Sequence, residues 1–528
     1  MAVNKTHTTT STLPPVGGLN VRDAINNMPS GDAISLVNWV PQQYGVRCRK
    51  GYREWVTGMT DPVKTVLRYQ PNREDMATYR LFAVTDSNIY NVTTSSNAPP
   101  VVKVLSGTND AGRMSSTMLT NVAGSFLLTA AQAGGYMYYD GTNWVTPTFG
   151  GGAGQVNGID PVNVVFVMTW KKRVWFIEKN STNAWYGATD AITGAFTKLP
   201  LGSLVTEGGK LAFIATWTID AGTGVDDMIV FAFENGNVLV YKGTDPSTTD
   251  FNLVGSWNVG PIPVGRRGFC AFGGDLLILS QLGIQPMSYV TRGGQSLLRA
   301  SSVDYLGKVQ PLFADLAARY IDSYGWDMIV HPKENLLIVN QPDNNTAFYE
   351  QYAMYTNGFG WTKFEGIPAI SYEVANTELY GGTVDGKVMK LFTGYFDAVP
   401  YGSQVGNGIR GQIVPGYSYF GMPGMNKDML MVRPTFLSVT SPAFQIDCYT
   451  DYQELTQILP SLGSNVSTGF WDVSLWDSAV WGGQMNSYAE WVGIGGVGYA
   501  ATVSILTEAV GDTFLASLDY MFKPGGPM

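Results

Sequence analysis

Two histidines, His7 and His331, are all the imidazole there is in 528 residues. His7 lies in a polar N-terminal stretch, and His331 ends an apolar run just before Pro332. Neither sits in a constellation, so Ser-His-Asp triads, His-based acid–base work and His-rich metal sites are nearly excluded. The three cysteines, Cys48, Cys270 and Cys448, are far apart, odd in number and outside any CxxC pair. They define neither a disulfide framework nor a metal site. Charge is scarce: 14% of residues, against roughly 25% in an average soluble domain. The net charge of −9 lacks the basic excess with which proteins grip phosphates. No run of about 18 apolar residues offers a membrane-spanning helix. Met1–Thr12 has no apolar core of a Sec-type signal, so synthesis in a cytoplasm without stable membrane insertion is expected.

What is abundant is glycine, at 62 residues, and aromatic side chains, with 14 Trp, 28 Tyr and 24 Phe. Glycine serves tight turns at positive φ, and aromatic and β-branched residues suit pleated, half-buried surfaces. A surface poor in charge and rich in aromatics also matches an interface core. The alternative is a monomer with a Ser/Thr/Asn/Gln-rich surface.

Short apolar runs alternate with turn signals. Strand–turn–strand units read at Leu81–Val92, Tyr136–Val145, Val174–Tyr186, Ile229–Tyr241, Ile329–Val339 and Leu379–Leu391. Asp140-Gly141, Asn235-Gly236 and Asp385-Gly386 predict two-residue hairpin turns, in which both central residues take positive φ. The rhythm predicts an all-β chain with a β-propeller-like main domain of irregular blades, with an array of β-sandwiches as the competing fold. One amphipathic segment, Pro311–Tyr324, predicts a helix that packs between blades through Leu312, Phe313, Leu316, Ala317, Tyr320 and Ile321. Its Pro311 suits a first helical position.

Composition shifts near residue 400. Tyr401–Arg410 reads as a Gly-rich linker, followed by strands at Met429–Val439, Ala443–Tyr449, Tyr499–Leu506 and Phe514–Phe522. The expected organisation is an N-terminal extension over 1–45, the propeller-like domain over 46–400 and a C-terminal sandwich-like β domain over 401–528. Within the last, Phe470–Gly483 places Trp471, Trp476 and Trp481 five apart. It reads either as aromatic core plus turns or as a contact surface for a neighbouring subunit.

Carboxylate chemistry is harder to exclude, because propeller glycosidases use acid pairs that converge only in three dimensions. Glu178, Glu207, Asp226 and Asp227 are candidates of this kind, chosen from 42 acidic residues. Asp140-Gly141-Thr142-Asn143-Trp144 resembles the Asp turn of sialidase-type blades, but it occurs once, as a hairpin turn would. Phe149–Gly154 (FGGGAG) matches neither GxxxxGK[ST] nor a GxGxxG that opens a helix, and reads with Gly222–Gly224 as loop. Three basic clusters stand out: Arg47, Arg49, Lys50 and Arg53; Lys171, Lys172 and Arg173; and Arg266 with Arg267. They read as salt-bridged strand faces or as contacts to an acidic partner or to DNA in a channel. No catalytic, cofactor-binding or metal-ligating residue is assigned, and no cofactor is expected.

Three stretches together resemble a known family. The first holds Gly17-Gly18-Leu19-Asn20, Asp23, Met28-Pro29, Asp32-Ala33, Asn38-Trp39-Val40-Pro41 and Arg49-Lys50-Gly51-Tyr52. The second is the Trp-rich Phe470–Gly483, and the third Asp519–Gly526 (DYMFKPGG). In order and spacing they resemble the tail nozzle, or tail tubular protein B, of short-tailed bacteriophages, and packaged-DNA stabilisation proteins. The resemblance implies a virion tail protein without enzymatic activity that forms a six-fold ring below the portal and its adaptor. It further implies a propeller-like domain, a channel for transient passage of DNA, and surface for fibres or a needle-like plug. Two rivals remain, a propeller glycosidase and a lectin-like receptor-binding protein, both directed at host surface glycans.

Overall fold

The computed structural model describes residues 7–72, 75, 77–205, 208–218, 227–292, 304–342, 350–453 and 485–525. Its main body is a β-propeller. Among the described residues six blades have four antiparallel strands in up-and-down order; they begin at Thr65–Tyr69, Met114–Asn121, Val164–Trp170, Leu211–Trp217, Asp327–His331 and Ala369–Ala375, the third gaining a short parallel fifth strand, Val156–Asn157, and the fifth belonging to a longer sheet. Between the fourth and fifth of these lies a three-stranded sheet, Phe269–Phe272, Asp275–Ser280 and Gly283–Pro286. The inner strands of successive sheets touch in turn, and the last meets the first, so the ring is closed. All six strand–turn–strand units read from the sequence are hairpins here.

The helix Gln310–Arg319 packs on Gly283–Pro286, in the place a fourth strand takes elsewhere. It buries Ala317, and it puts Phe313 and Leu316 in one cluster with Leu277, Ile284, Trp326 and Trp361. It therefore does fill the space between two blades. It begins one residue earlier than expected and stops at Arg319, so Tyr320 and Ile321 lie beyond its end.

The aromatic excess goes largely into such clusters. Trp39, Trp175, Trp326 and Trp361 are among the largest fully buried side chains. Each blade's twisted faces meet the next blade's, and wide aromatic side chains fill the wedge between them. Tyr136 of one blade lies 4.7 Å from Phe176 of the next between ring centroids, and Phe82 meets Tyr139 edge-on at 4.9 Å. Such pairs add about 0.5–1.5 kcal/mol beyond their buried area.

A β-sandwich forms the second body. One sheet orders Trp39–Gln42, Gly45–Cys48, Thr513–Pro524, Lys427–Ser438 and Asn486–Ala489. The other orders Ala33–Val37, Ile409–Pro415, Ala501–Ala509 and Ala443–Thr450. Leu36, Trp39, Val46, Ile413, Phe436, Ile505 and Leu518 share its core.

The domain boundaries differ from those expected. The described part of the expected extension over 1–45 belongs to the sandwich: Thr8–Thr12, Ala33–Val37 and Trp39–Gln42 are its strands. The apolar face of this early segment has its complement in strands near the C-terminus, a pairing that no local pattern announces. Nor does the propeller begin at residue 46. Gly45–Cys48 is still sandwich, and Tyr52–Val56 then pairs Val388–Leu391 as the outer strand of the last blade. The second sandwich sheet runs on into the blade Asp327–Glu365 through the register Val37↔Lys363, so one eight-stranded sheet links the two bodies.

Candidate functional site

The propeller axis holds a cavity of about 390 Å³, lined by the inner strands of six blades. One end is crossed by the segment Val264–Gly268. Arg267 donates to Met114 O at 2.7 Å and to Asp327 Oδ2 at 3.2 Å, reaching two different blades. Arg266, held at φ 59°, donates to the carbonyls of Leu211 and Ala212. Gln132 Nε2 donates to Gly265 O, and Met328 N to Arg267 O. Left-handed backbone at a non-glycine costs roughly 1–3 kcal/mol and persists only where the surroundings over-determine it. Here those hydrogen bonds do so. The segment is an axial strap tied to the blades around it. The cavity behind it is a cup, reached by water at Ser116 and Ala271, which are exposed.

Two carboxylates face this cup. Asp327 is buried and paired with Arg267; burial raises its carboxyl above the usual range while the guanidinium pulls it down. Glu373 lies 3.5 Å from Arg68 Nε across the joint between the last and first blades. Burial pushes its carboxyl up to about 7, with Arg68 and Arg267 opposing. Sequence reasoning did not single out either acid. Both sit on the inner strands of consecutive blades, and the alternation of those strands looks like that of any other.

The acids that were singled out lie elsewhere or stay apart. Glu178 closes its own hairpin, accepting from Asn183 Nδ2 at 2.7 Å and Trp185 Nε1 at 3.3 Å. Asp227 precedes the strand Met228–Phe233 and does not line the cup. Glu207, Asp226, Gly222–Gly224 and the Trp-rich Phe470–Gly483 lie outside the described residues. Asp140 caps its own loop, accepting from the amides of Thr142 and Asn143. Phe149–Gly154 is a loop between two blades.

The basic clusters are largely spent inside the protein. Arg47 pairs with Asp512, Lys50 with Glu334 and Arg173 with Asp245; Arg53 donates to Ser403 O. Lys171 donates to Gly243 O and lies over the Trp170 ring, and Lys172 sits 4.0 Å from Asp190.

Arg49 is the centre of a second constellation. Its side chain is fully buried and donates to Asn38 Oδ1 at 2.8 Å, Lys50 O at 3.1 Å and Glu365 O at 2.9 Å. It grips Asp397 through both carboxylate oxygens, at 2.7 and 2.6 Å. Asn38, at φ 61°, donates in turn to the carbonyls of Glu365 and Arg410 and accepts from the Glu365 amide. Sandwich, linker and blade thus meet on one guanidinium. A cleft of about 630 Å³ beside it is lined by Asn38, Asp397, Arg410 and Glu508.

The rest of the N-terminal motif is used in the same region. Asn20 donates to Asp23 and Asp32, and Lys308 pairs with Asp32 at 2.8 Å. Gly18, at φ 74°, lies against the Trp361 backbone, where a Cβ would come 2.5 Å from its nitrogen. At the other end of the chain, Asp519 pairs with Arg433, while Tyr520 and Phe522 fill the sandwich core.

Among the described residues no three His, Cys, Asp or Glu come together as a metal shell. Burial pushes the thiols of Cys48 and Cys270 up to about 12 and that of Cys448 to about 11, which makes them poor nucleophiles. None of the described helices is long and apolar enough to cross a membrane.

No family model matches the chain, and no curated protein matches it. Solved structures share its general form at low similarity. Saccharomyces cerevisiae Sqt1 is 14% identical, over 70% of this chain and 96% of that one, with a TM-score of 0.39. Chaetomium thermophilum Raptor is 11% identical over 66% of this chain and 29% of that one, at 0.38. An exo-beta-1,3-galactanase from Phanerochaete chrysosporium, solved with galactose, is 8% identical over 77% of this chain and 95% of that one, at 0.23. These likenesses carry no argument about function. The strand order itself defines the class, an all-β propeller joined to a β-sandwich.

Proposed function

We propose that this chain is the repeated subunit of a short phage-tail nozzle, a virion protein that continues the DNA channel below the portal and adaptor. One observation carries the reading. The residues on which the family resemblance rests in the N-terminal motif, from Gly18 to Arg49, build the joint between sandwich and propeller. A joint of this kind suits a building block that must keep two bodies in fixed relation inside an assembly. The axial strap adds a constraint: DNA in such a ring would pass between subunits, because Arg266 and Arg267 cross the propeller's own axis. Adaptor, fibres and plug would then dock on outer faces. Hydrolysis by a carboxylate pair fits the cup less well, since Asp327 is already held by Arg267. Native mass spectrometry of the purified protein, or of tails released from particles, tests the reading. Six copies are expected; a trimer or a strict monomer in released tails would overturn it.

A further inference from the structure

The cup has the size and the wall of a small-molecule site. Its volume of about 390 Å³ lies within the range of roughly 300–1,000 Å³ typical of such pockets. Part of the wall is apolar and rigid: Phe269, half-buried, stacks on Phe213 with centroids 4.1 Å apart and an interplanar angle of 15°. Another part is hydroxylic. Thr117 and Thr169 hydrogen-bond each other at 2.8 Å, whereas the hydroxyls of Ser116 and Thr216 engage no side-chain partner among the described residues. The third part is Glu373, whose partner Arg68 stands outside the lining at 3.5 Å, too long for a strong hydrogen bond, which leaves the carboxylate with capacity to spare.

Charge selects among ligands. Glu373 faces Arg68, Asp327 faces Arg267, and Arg266 is occupied by two carbonyls. An incoming cation would meet an arginine beside each carboxylate, and an anion would meet a carboxylate beside each paired guanidinium. A neutral ligand with many hydroxyls and an apolar ring face suits all three parts of the wall. We infer that the cup binds the end of a saccharide chain, with Glu373 accepting from ring hydroxyls, Ser116 and Thr216 taking others, and Phe269 covering the C–H face. This site is independent of the nozzle reading, since it needs one copy of the chain and no ring.

Saturation-transfer NMR on the full-length protein tests the inference, with the methyl glycosides of glucose, galactose, mannose, rhamnose and N-acetylglucosamine as probes. At least one should give a saturable signal with a Kd at or below about 10 mM. Glu373→Gln should weaken it about tenfold, and Ala271→Phe, which fills the cup without removing a polar group, should abolish it. Thr216→Val gives a milder check, with a loss of about threefold, should either variant fail to keep the wild-type circular dichroism. Absence of transfer to all five probes would overturn the inference. So would a signal that survives unchanged in Ala271→Phe, or in Thr216→Val where the former does not fold.

Discussion

Replacing Arg49 by methionine removes the guanidinium at the joint while keeping much of its stem volume. Five hydrogen bonds go with it: two to Asp397, and one each to Asn38, Lys50 and Glu365. The largest consequence falls on Asp397, whose side chain is only 14% exposed and is left without its cation. Breaking a buried pair from one side costs about 3–5 kcal/mol. The adjoining cleft, which Asp397 lines, lets water reach the orphaned carboxylate and moves the expectation to the lower part of that range. We expect about 3–4 kcal/mol, a large share of a typical total of roughly 5–15 kcal/mol. Urea unfolding followed by tryptophan fluorescence and far-UV circular dichroism measures it. The two probes should also separate in the variant, because the sandwich and propeller lose a shared tie. Asp397→Leu combined with Arg49→Met should cost less than the two single changes added together, by about 2 kcal/mol or more. A loss below about 1 kcal/mol, or strictly additive changes, would refute the account of Arg49 as the tie between the bodies.

Two further perturbations follow from buried groups. His331 is 1% exposed, stacks on Phe392 at 5.7 Å, and has an Nδ1 that finds no partner among the described residues. Burial pushes its pKa down to about 4 from an ordinary 6.5. The folded value lies below the unfolded one, so the contribution is complete above about pH 6.5 and is lost as pH falls through about 4; its size is about 3 kcal/mol. His331→Phe should keep the stack and flatten that acid limb, read as unfolding midpoints between pH 4 and 7; parallel profiles would contradict it. Gly18→Ala should lower stability by about 2–4 kcal/mol, because its Cβ meets the Trp361 backbone at a left-handed φ. Gly31→Ala, with open space around its Cβ, is the control and should stay within about 0.5 kcal/mol by thermal melting.

Elements with local signals were legible in the sequence, and their closures were not. The hairpins were placed by Asp140-Gly141, Asn235-Gly236 and Asp385-Gly386, yet in each only the glycine takes positive φ, so these are longer loops. Tight turns with positive φ at both central residues fall at Gly273-Gly274 and, without any glycine, at Lys171-Lys172 and Asn376-Thr377. Hydrogen bonding of the flanking strands evidently outweighs the cost that these side chains add. Lys171 and Lys172 were therefore read as a basic cluster when their place is a hairpin tip. The cup was illegible for a different reason. Arg68 on the first blade and Glu373 on the last are separated by most of the propeller's length, and only its circular closure makes them neighbours. Asn38 and Arg49 stand out as a motif, but the carboxylate that Arg49 grips, Asp397, lies 348 residues further on.

The way the chain returns to its own beginning also dictates the order in which the molecule can be completed. Thr12 bonds across 506 residues to Leu518, and Trp39 across 468 to Thr507. During synthesis, Leu36, Trp39 and Val46 emerge first and find their core partners only after nearly the whole polypeptide has followed. Tyr52–Val56 must likewise wait for Val388–Leu391 before the propeller can close. Contacts of such long separation slow folding and leave apolar strand edges open to wrong pairing for the duration. A ribosome that stops short of residue 501 releases a chain with neither a finished sandwich nor the Thr507 partner of Trp39. Nascent chains of this protein are thus natural clients for chaperones that shield early strands until the last ones arrive.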